Sequence, residues 1–157
     1  MAEGDDGRIR PGEVAAPMPA DFDAQLYFIG RIRSPYSRRE DCPRRGDAAS
    51  GPDFRLEINP RWQPALAGLA VGDRVQVLYW MHLSRRDLLL QTPQMDGVTH
   101  GTFALRSPVR PNPIASTVVP LLAIEGGTLT VRGLDCVDGT PILDIKPASG
   151  RFQGEHG

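Results

Sequence analysis

The sequence predicts an all-β protein, a single compact β-barrel with short helical turns. Glycine and proline account for 17 and 15 of the 157 residues, a share that disfavours long helices and favours a chain rich in turns. Short segments rich in β-branched and aromatic residues follow one another along the chain, separated by turn signals. We expect a closed or nearly closed barrel, because closure removes exposed strand edges.

The first two strands are expected before residue 60. Residues 25–33 (QLYFIGRIR) are rich in aromatic and β-branched side chains, and Ser34-Pro35 ends the segment. A polar loop with several arginines follows. Residues 54–59 then alternate apolar and charged side chains, which is the pattern of a strand buried on one face.

The next segments predict a short helix and the central strand. Asn59-Pro60 begins a turn, and residues 61–69 are expected to form a short helix that packs Trp62 and Leu66. Residues 74–83 (RVQVLYWMHL) are the most apolar segment of the chain. They are expected to form a long strand.

The second half of the chain supplies the remaining strands. Residues 88–92 and 98–105 are short candidates that precede a proline-dense segment. Residues 114–125 and 128–134 flank Gly126-Gly127 and predict a hairpin. Residues 142–145 follow a turn and form the last expected strand. The total is about eight strands with little helix.

Charge divides the chain unevenly, although the formal net charge is only -1. The first 25 residues carry six acidic and two basic side chains, and the remainder is mildly basic. We therefore expect a flexible acidic tail over residues 1–24, a barrel domain over 25–150 and a C-terminal tail over 151–157.

Several classes of protein are disfavoured by what the sequence lacks. It has no GxxxxGK[ST] phosphate loop, no GxGxxG motif and no apolar run long enough for a membrane span. Cys42 and Cys136 have no CxxC spacing, and the three histidines have no metal-ligand spacing. With no signal-peptide pattern at the N-terminus, we expect a cytoplasmic protein with reduced thiols and no metal.

Three loop motifs carry the functional information. They are CPRRG at residues 42–46, RSPVRPNPI at 106–114 and DGTPILDIKP at 138–147. Together with the strand segment IGRIRSPY, they resemble the TsaA-like family, which includes the TrmO-type tRNA methyltransferases. The resemblance covers about residues 28–147. It implies a compact β-barrel that binds S-adenosylmethionine (SAM) without a Rossmann fold and works as a homodimer with sites near the subunit interface. The reaction it implies is N6-methylation of threonylcarbamoyladenosine beside the tRNA anticodon.

The resemblance also implies which residues bind the cofactor. Matched motif by motif, they are Pro43, Arg44, Arg45, His82, Leu83, Arg106, Ser116, Val137, Asp138, Gly139 and Thr140. Arg45, Ala115, Ser116 and Ala148 stand where the family pattern has glutamine, glycine, leucine and tyrosine. An arginine such as Arg44 or Arg106 suits the carboxylate of the cofactor, since its planar guanidinium can pair bidentately.

Methyl transfer to an amide-like nitrogen benefits from a group that removes its proton. The candidates are Asp138 and His82, with Asp144 as a further one. Each has a structural alternative. His82 lies on an apolar strand, Asp138 can cap its own turn, and Asp144 can occupy the outer face of a strand.

Arginines dominate the basic residues, since Lys146 is the single lysine in the sequence. Candidates for phosphate contacts are Arg38, Arg39, Arg85 and Arg86, with a solvated loop as the alternative. Two other functions stay open at this stage. One is a SAM-dependent methyltransferase with a small-molecule or protein acceptor, and the other is a non-catalytic SAM- or RNA-binding barrel.

Overall fold

The computed structural model describes residues 8–149, which contain nine strands and three short 3₁₀ helices. The strands are β1 (Val14–Ala15), β2 (Gly30–Arg33), β3 (Asp53–Ile58), β4 (Arg74–Trp80), β5 (Leu88–Gln91), β6 (His100–Gly101), β7 (Ile114–Glu125), β8 (Thr128–Arg132) and β9 (Thr140–Pro147). The 3₁₀ helices span Arg39–Asp41, Pro60–Leu66 and Thr102–Ala104.

Six strands form a closed barrel in the order β2-β3-β8-β7-β4-β9. Every neighbouring pair is antiparallel, and β9 closes the barrel by pairing with both β2 and β4. Strands β1, β5 and β6 form a separate three-stranded sheet. The predicted all-β barrel is therefore confirmed. Among residues 8–149, no helix is long and apolar enough to cross a membrane.

The core lies inside the barrel and follows from period-two alternation. In β3, Phe54, Leu56 and Ile58 are buried while the residues between them are not. In β4, Val75, Val77 and Tyr79 occupy the same inward positions. Full burial of each such side chain contributes about 1.5–3 kcal/mol to the stability of the fold. A shift of one residue would expose all of them, so the alternation also fixes the register of the strands.

The first barrel strand is shorter than expected. It begins at Gly30 rather than at residue 25, and the preceding Leu26, Tyr27 and Phe28 are exposed. The rings of Tyr27 and Phe28 lie 5.6 and 6.5 Å from those of Trp62 and Trp80. Their apolar character therefore reflects contacts on the outside of the barrel rather than strand pairing.

The expected strand at residues 98–105 is mostly absent. Only His100–Gly101 pairs with β5, and Thr102–Ala104 turns into a 3₁₀ helix. Thr102 is buried, donates from Oγ1 to the carbonyl of Leu88 and accepts from Nε2 of Gln91. These bonds fix a turn where the sequence pattern indicated a strand.

The acidic segment before the barrel differs from the expected flexible tail. Within it, β1 pairs with β5. Glu13 accepts from the backbone N–H groups of Arg10 and Thr92 at 2.9 and 3.1 Å, which ties residues 10–15 to the small sheet. Residues 1–7 and 151–157 of the expected tails lie outside the described residues, as does residue 150, the last of the expected barrel domain.

Candidate functional site

A cleft of about 1170 Å³ opens at one end of the barrel. Its wall is formed by the CPRRG loop, the end of β4, the RSPVRPNPI loop, the start of β7 and the segment between β8 and β9. Because β4 and β7 are antiparallel neighbours, the end of one strand and the start of the other meet at the same rim. The fold thus brings the CPRRG loop, the RSPVRPNPI loop and Thr140 of the DGTPILDIKP motif, which are distant in sequence, to one concave surface.

Most of the residues implied by the resemblance line this cleft. They are Pro43, Arg44, Arg45, His82, Leu83, Arg106, Ser116, Val137 and Thr140. Asp138 and Gly139 are not among the lining residues.

Asp138 forms hydrogen bonds to the segment that follows β2. Its carboxylate accepts from the backbone N–H of Ser34 at 2.9 Å, and its own N–H donates to the carbonyl of Tyr36 at 2.7 Å. Arg33 Nη1 lies 3.8 Å from the same carboxylate. Gly139, with φ 82°, donates its N–H to Ile32. This geometry favours the turn-stabilising alternative for Asp138, and its roles in catalysis and cofactor binding stay predictions.

The CPRRG loop reaches the cleft because two glycine backbones touch. A Cβ at Gly46 would overlap the carbonyl group of Gly133, and Gly133 itself has φ 112°. Backbone atoms cannot move aside as a flexible side chain can, so the close contact between the two backbones requires glycine at position 46. Pro43, Arg44 and Arg45 thereby stand beside the end of β8.

The cleft is rich in guanidinium groups. Its arginines are Arg39, Arg44, Arg45, Arg106 and Arg110. Arg106 donates to the carbonyl of Ser116 at 3.2 Å, and Arg110 donates to the carbonyls of Leu105 and Ser107, both at 3.0 Å. These bonds orient the side chains and leave further N–H groups for an anionic ligand, since each guanidinium carries five donors.

Asp135 is a cleft residue that the sequence interpretation did not select. Among the described residues that line the cleft, it is the one carboxylate. Oδ1 accepts from the phenol of Tyr79 at 3.0 Å, and the same phenol oxygen lies 3.0 Å from Thr117 Oγ1. Burial raises the pKa of Asp135, although the Tyr79 hydrogen bond opposes this, and burial with the nearby Asp135 charge raises the pKa of Tyr79. The available signal was an acidic residue between the apolar Leu134 and Cys136.

His82 lies at the rim, with an exposed side chain. Desolvation of the ring, together with the positive charge of Arg31, lowers the pKa of His82. The neutral ring is therefore the favoured form near neutral pH, and it can offer one nitrogen as an acceptor.

The four arginines expected to contact nucleic acid have different surroundings. Arg38 is exposed, near Glu40 and Asp41, while Arg39 lines the cleft and donates to Leu83. Arg85 forms two bonds to Asp87, at 2.7 and 3.0 Å.

Arg86 is held still more firmly. It donates to the carbonyl of Pro111 at 2.6 Å and lies over the rings of Phe22 and Trp80, 5.5 and 5.2 Å from their centroids. The Arg85 and Arg86 side chains therefore stabilise the fold, whereas Arg38 and Arg39 are better placed to contact a ligand.

No group of three or more His, Cys, Asp or Glu residues within the described part of the chain could hold a metal ion. The two cysteines are free, Cys42 half-buried and Cys136 buried. Burial raises the pKa of Cys136 to about 12 and raises that of Cys42. Both thiols are thus protonated and act as packing groups rather than nucleophiles.

Comparison with known proteins agrees with the motifs. The family model of the tRNA-methyltransferase O (TrmO) N-terminal domain matches residues 31–152. The chain belongs to the TrmO family. TrmO from Pseudomonas aeruginosa, a solved structure, superposes with a TM-score of 0.64 at 33% identity, over 82% of this chain and 57% of that one.

Curated TrmO-family relatives carry two kinds of name. A protein of Rhizobium radiobacter, the probable S-adenosyl-L-methionine-binding protein VirR, is 49% identical over 89% of this chain and 79% of its own length. The human tRNA (adenine(37)-N6)-methyltransferase is 33% identical over 76% of this chain and 29% of its own length. The chain therefore spans less than a third of the human enzyme and about 57% of the Pseudomonas aeruginosa one.

Proposed function

We propose that the protein is a SAM-dependent methyltransferase that N6-methylates threonylcarbamoyladenosine next to the tRNA anticodon. The observation that carries the proposal is the convergence of the three family motifs on one arginine-rich cleft. Relatives named as SAM-binding proteins and as tRNA adenine-N6 methyltransferases support the donor and the acceptor respectively. A tRNA acceptor also supports the expected cytoplasmic location.

The residues of the cleft suit this cofactor chemically. Arg44 and Arg106 can pair with its carboxylate, and apolar surface from Leu83, Phe103 and Val137 suits its adenine. When bound, SAM supplies an electrophilic methyl group on a positively charged sulfur, which keeps the bonding electron pair when the methyl group leaves. The protein's own contribution is to orient the acceptor and to exclude water, and positioning of this kind can supply about 7–11 kcal/mol of barrier reduction.

A nucleic-acid acceptor is supported by the exposed arginines of the CPRRG loop. Arg44 and Arg45 are exposed and line the cleft, and Arg38 lies just before them with 69% of its side chain accessible. Phosphate contacts by such groups release counterions, so binding of tRNA should weaken steeply with salt. In our proposal, this loop takes the phosphates beside the modified base.

The experiment has two arms. Calorimetric titration with SAM measures cofactor binding, and mass spectrometry of nucleosides measures methyl transfer to tRNA from cells that lack the N6-methyl group. Arg106→Ala should weaken SAM binding about 10–150-fold, because a charge-assisted hydrogen bond contributes about 1.5–3 kcal/mol. Arg55→Ala, an exposed arginine on β3 outside the cleft lining, is the matched control and should bind normally. No heat and no thermal shift at millimolar SAM would refute the proposal.

Two rival functions remain as outcomes of the same experiment. The name of the Rhizobium radiobacter relative specifies SAM binding alone, and Arg45 and Ser116 depart from the family pattern at the cleft. SAM binding with unmethylated tRNA, but with transfer to a small molecule or protein, would favour a different acceptor. SAM binding without transfer to any acceptor would favour a non-catalytic binding barrel.

We further propose that the protein works as a homodimer. Phe103 and Leu83 both line the cleft, and they are 82% and 49% exposed respectively. A second copy seated against this rim would bury both side chains and enclose the cofactor. Sedimentation velocity should give the mass of a dimer, and Phe103→Asp should shift it to that of a monomer. A monomeric wild-type protein that still methylates tRNA would refute this arrangement.

A further inference from the structure

A single carboxylate faces a cleft that otherwise carries positive charge. Asp135 follows β8 and is half-buried, while five arginines line the same cleft among the described residues. An isolated acid is costly to bury unless its ionised form has partners. The sequence places it between Leu134 and Cys136, both about 1% exposed, so its backbone is fixed on the core while its side chain reaches the cleft.

Two strands of the barrel hold the carboxylate in one orientation. Tyr79 of β4 donates from its phenol to Oδ1 at 3.0 Å, and Thr117 of β7 contacts the same phenol oxygen at 3.0 Å. Tyr79 is 1% exposed, so its ring cannot swing away. The hydrogen bond from Tyr79 uses Oδ1 and not Oδ2.

Asp135 and His82 are the two groups lining the cleft, among the described residues, that can accept a proton near neutral pH. Tyr79 from β4, Cys42 from the CPRRG loop and the neighbouring Cys136 all interact with its charge, and all three have pKa values raised by burial. They are neutral at the pH of a cell. The remaining charged or titratable lining residues are Arg39, Arg44, Arg45, Arg106, Arg110 and His82. The arginines have no proton-accepting form, and His82 lies exposed at the rim.

We propose that Asp135 is a catalytic residue that accepts the proton of the acceptor nitrogen, and that Tyr79 is a positioning residue for it. This role rests on the proposed methyltransferase function. The acceptor nitrogen forms a bond to the methyl carbon as the carbon–sulfur bond breaks, and the sulfur keeps the electron pair of that bond. The proton of the nitrogen passes to the carboxylate of Asp135. The nitrogen keeps the electron pair of the broken N–H bond, and Asp135 later releases the proton to solvent. A base is needed because the lone pair of an N6 urea nitrogen is delocalised.

The decisive variant is Asp135→Asn, which keeps the shape and the acceptor for Tyr79 but removes the base. It should bind SAM within about threefold of the wild type by calorimetry and lose methyl transfer to tRNA by about 10²–10⁴-fold, the usual contribution of a general base. Asp53→Asn is the matched control. Asp53 lies outside the cleft lining and pairs with Arg132 at 2.7 Å, so its variant should remain active.

Tyr79→Phe adds a measurement that a merely structural role would not change. The phenol lowers the pKa of Asp135 by hydrogen bonding to its ionised form, so its removal should raise that pKa. The acidic limb of the kcat–pH profile should therefore move to higher pH. Titration of ¹³C-labelled aspartate carboxyls by NMR should show the same upward shift for Asp135 in the absence of any cofactor or tRNA.

Each outcome is decisive. An Asp135→Asn protein with activity near that of the wild type would overturn the role, and loss of SAM binding would assign Asp135 to cofactor binding instead. A pH profile unmoved by Tyr79→Phe would overturn the positioning role. Wild-type protein that binds SAM but methylates no tRNA would overturn the proposed function and this role with it. If the wild type is active and the Asp135→Asn variant is equally active, the role of Asp135 fails while the proposed function stands.

Discussion

The contact between Gly46 and Gly133 makes Gly46→Ala the sharpest test of how the cleft is built. The added methyl group would overlap the carbonyl carbon and oxygen of Gly133 and lie 2.9 Å from its Cα. All three are backbone atoms next to β8, so the CPRRG loop has to move away from the barrel. The displacement would carry Arg44 and Arg45 with it.

The expected magnitude follows from this overlap. Forcing one extra methyl group into a tightly packed site costs about 1–3 kcal/mol, which lowers the melting temperature by about 2–12 °C in a chain of this size. If the loop detaches instead, the fold is spared and the ligand loses the contacts of one or two arginines. A charge-assisted hydrogen bond contributes about 1.5–3 kcal/mol, so the dissociation constant for SAM should then rise about 10–150-fold.

Thermal unfolding and calorimetric titration with SAM measure both effects. Gly101→Ala is the matched control, because Gly101 has φ -62° and an added Cβ there would have no neighbouring atom within 4 Å. The control should resemble the wild type in both assays. If Gly46→Ala has the same melting temperature and the same affinity for SAM as the control, the close approach of the two backbones is not what positions the loop.

Three further outcomes are expected. Asp138→Ala should lower the free energy of unfolding by about 0.5–1.5 kcal/mol through loss of the Ser34 hydrogen bond, measured by urea denaturation, while a large loss of SAM affinity without destabilisation would restore Asp138 to the site. Arg86→Ala should lower the melting temperature, since its bond to Pro111 and its two ring contacts are lost; an unchanged melting temperature with weaker tRNA binding would favour the nucleic-acid role. Arg85 lowers the pKa of Asp87 by hydrogen bonding, so this pair stabilises the fold above about pH 4 and the effect is lost as pH falls below it. The gap in melting temperature between the wild type and Asp87→Asn should accordingly be present at pH 7 and close towards pH 3, and a gap independent of pH would contradict the assignment.

The barrel was predictable because its signals are local. Alternation in residues 54–58 and 75–79 marks the inward faces, and Gly126-Gly127 marks the hairpin. The segment at residues 25–28 misled the interpretation, since its aromatic residues contact rings on the outside of the barrel. The turn at Thr102 depends on a hydrogen bond to Leu88, and such a distant partner leaves no periodicity in the sequence.

The site was predictable only in part, and for a related reason. Motif strings located the loops, but a string does not tell which side chain points into the cleft. Asp138 and Asp135 lie three residues apart in the same segment, yet the first bonds to Ser34 and the second to Tyr79. The choice between them depends on where β2 and β4 lie, and tertiary structure alone provides that information.

Closure of the barrel by β9 has a consequence for how the protein is made. Gly30 of β2 pairs with Ile142, and Tyr79 of β4 pairs with the same residue, so two early strands depend on the last described one. Contacts between such distant segments require closing long loops before any stabilisation is gained, which slows folding. A nascent chain that has not yet emerged through residue 147 lacks both the closed sheet and one wall of the cleft. The arginine-rich loop is synthesised early, but the end of the barrel on which the cleft forms is complete only after that strand is in place.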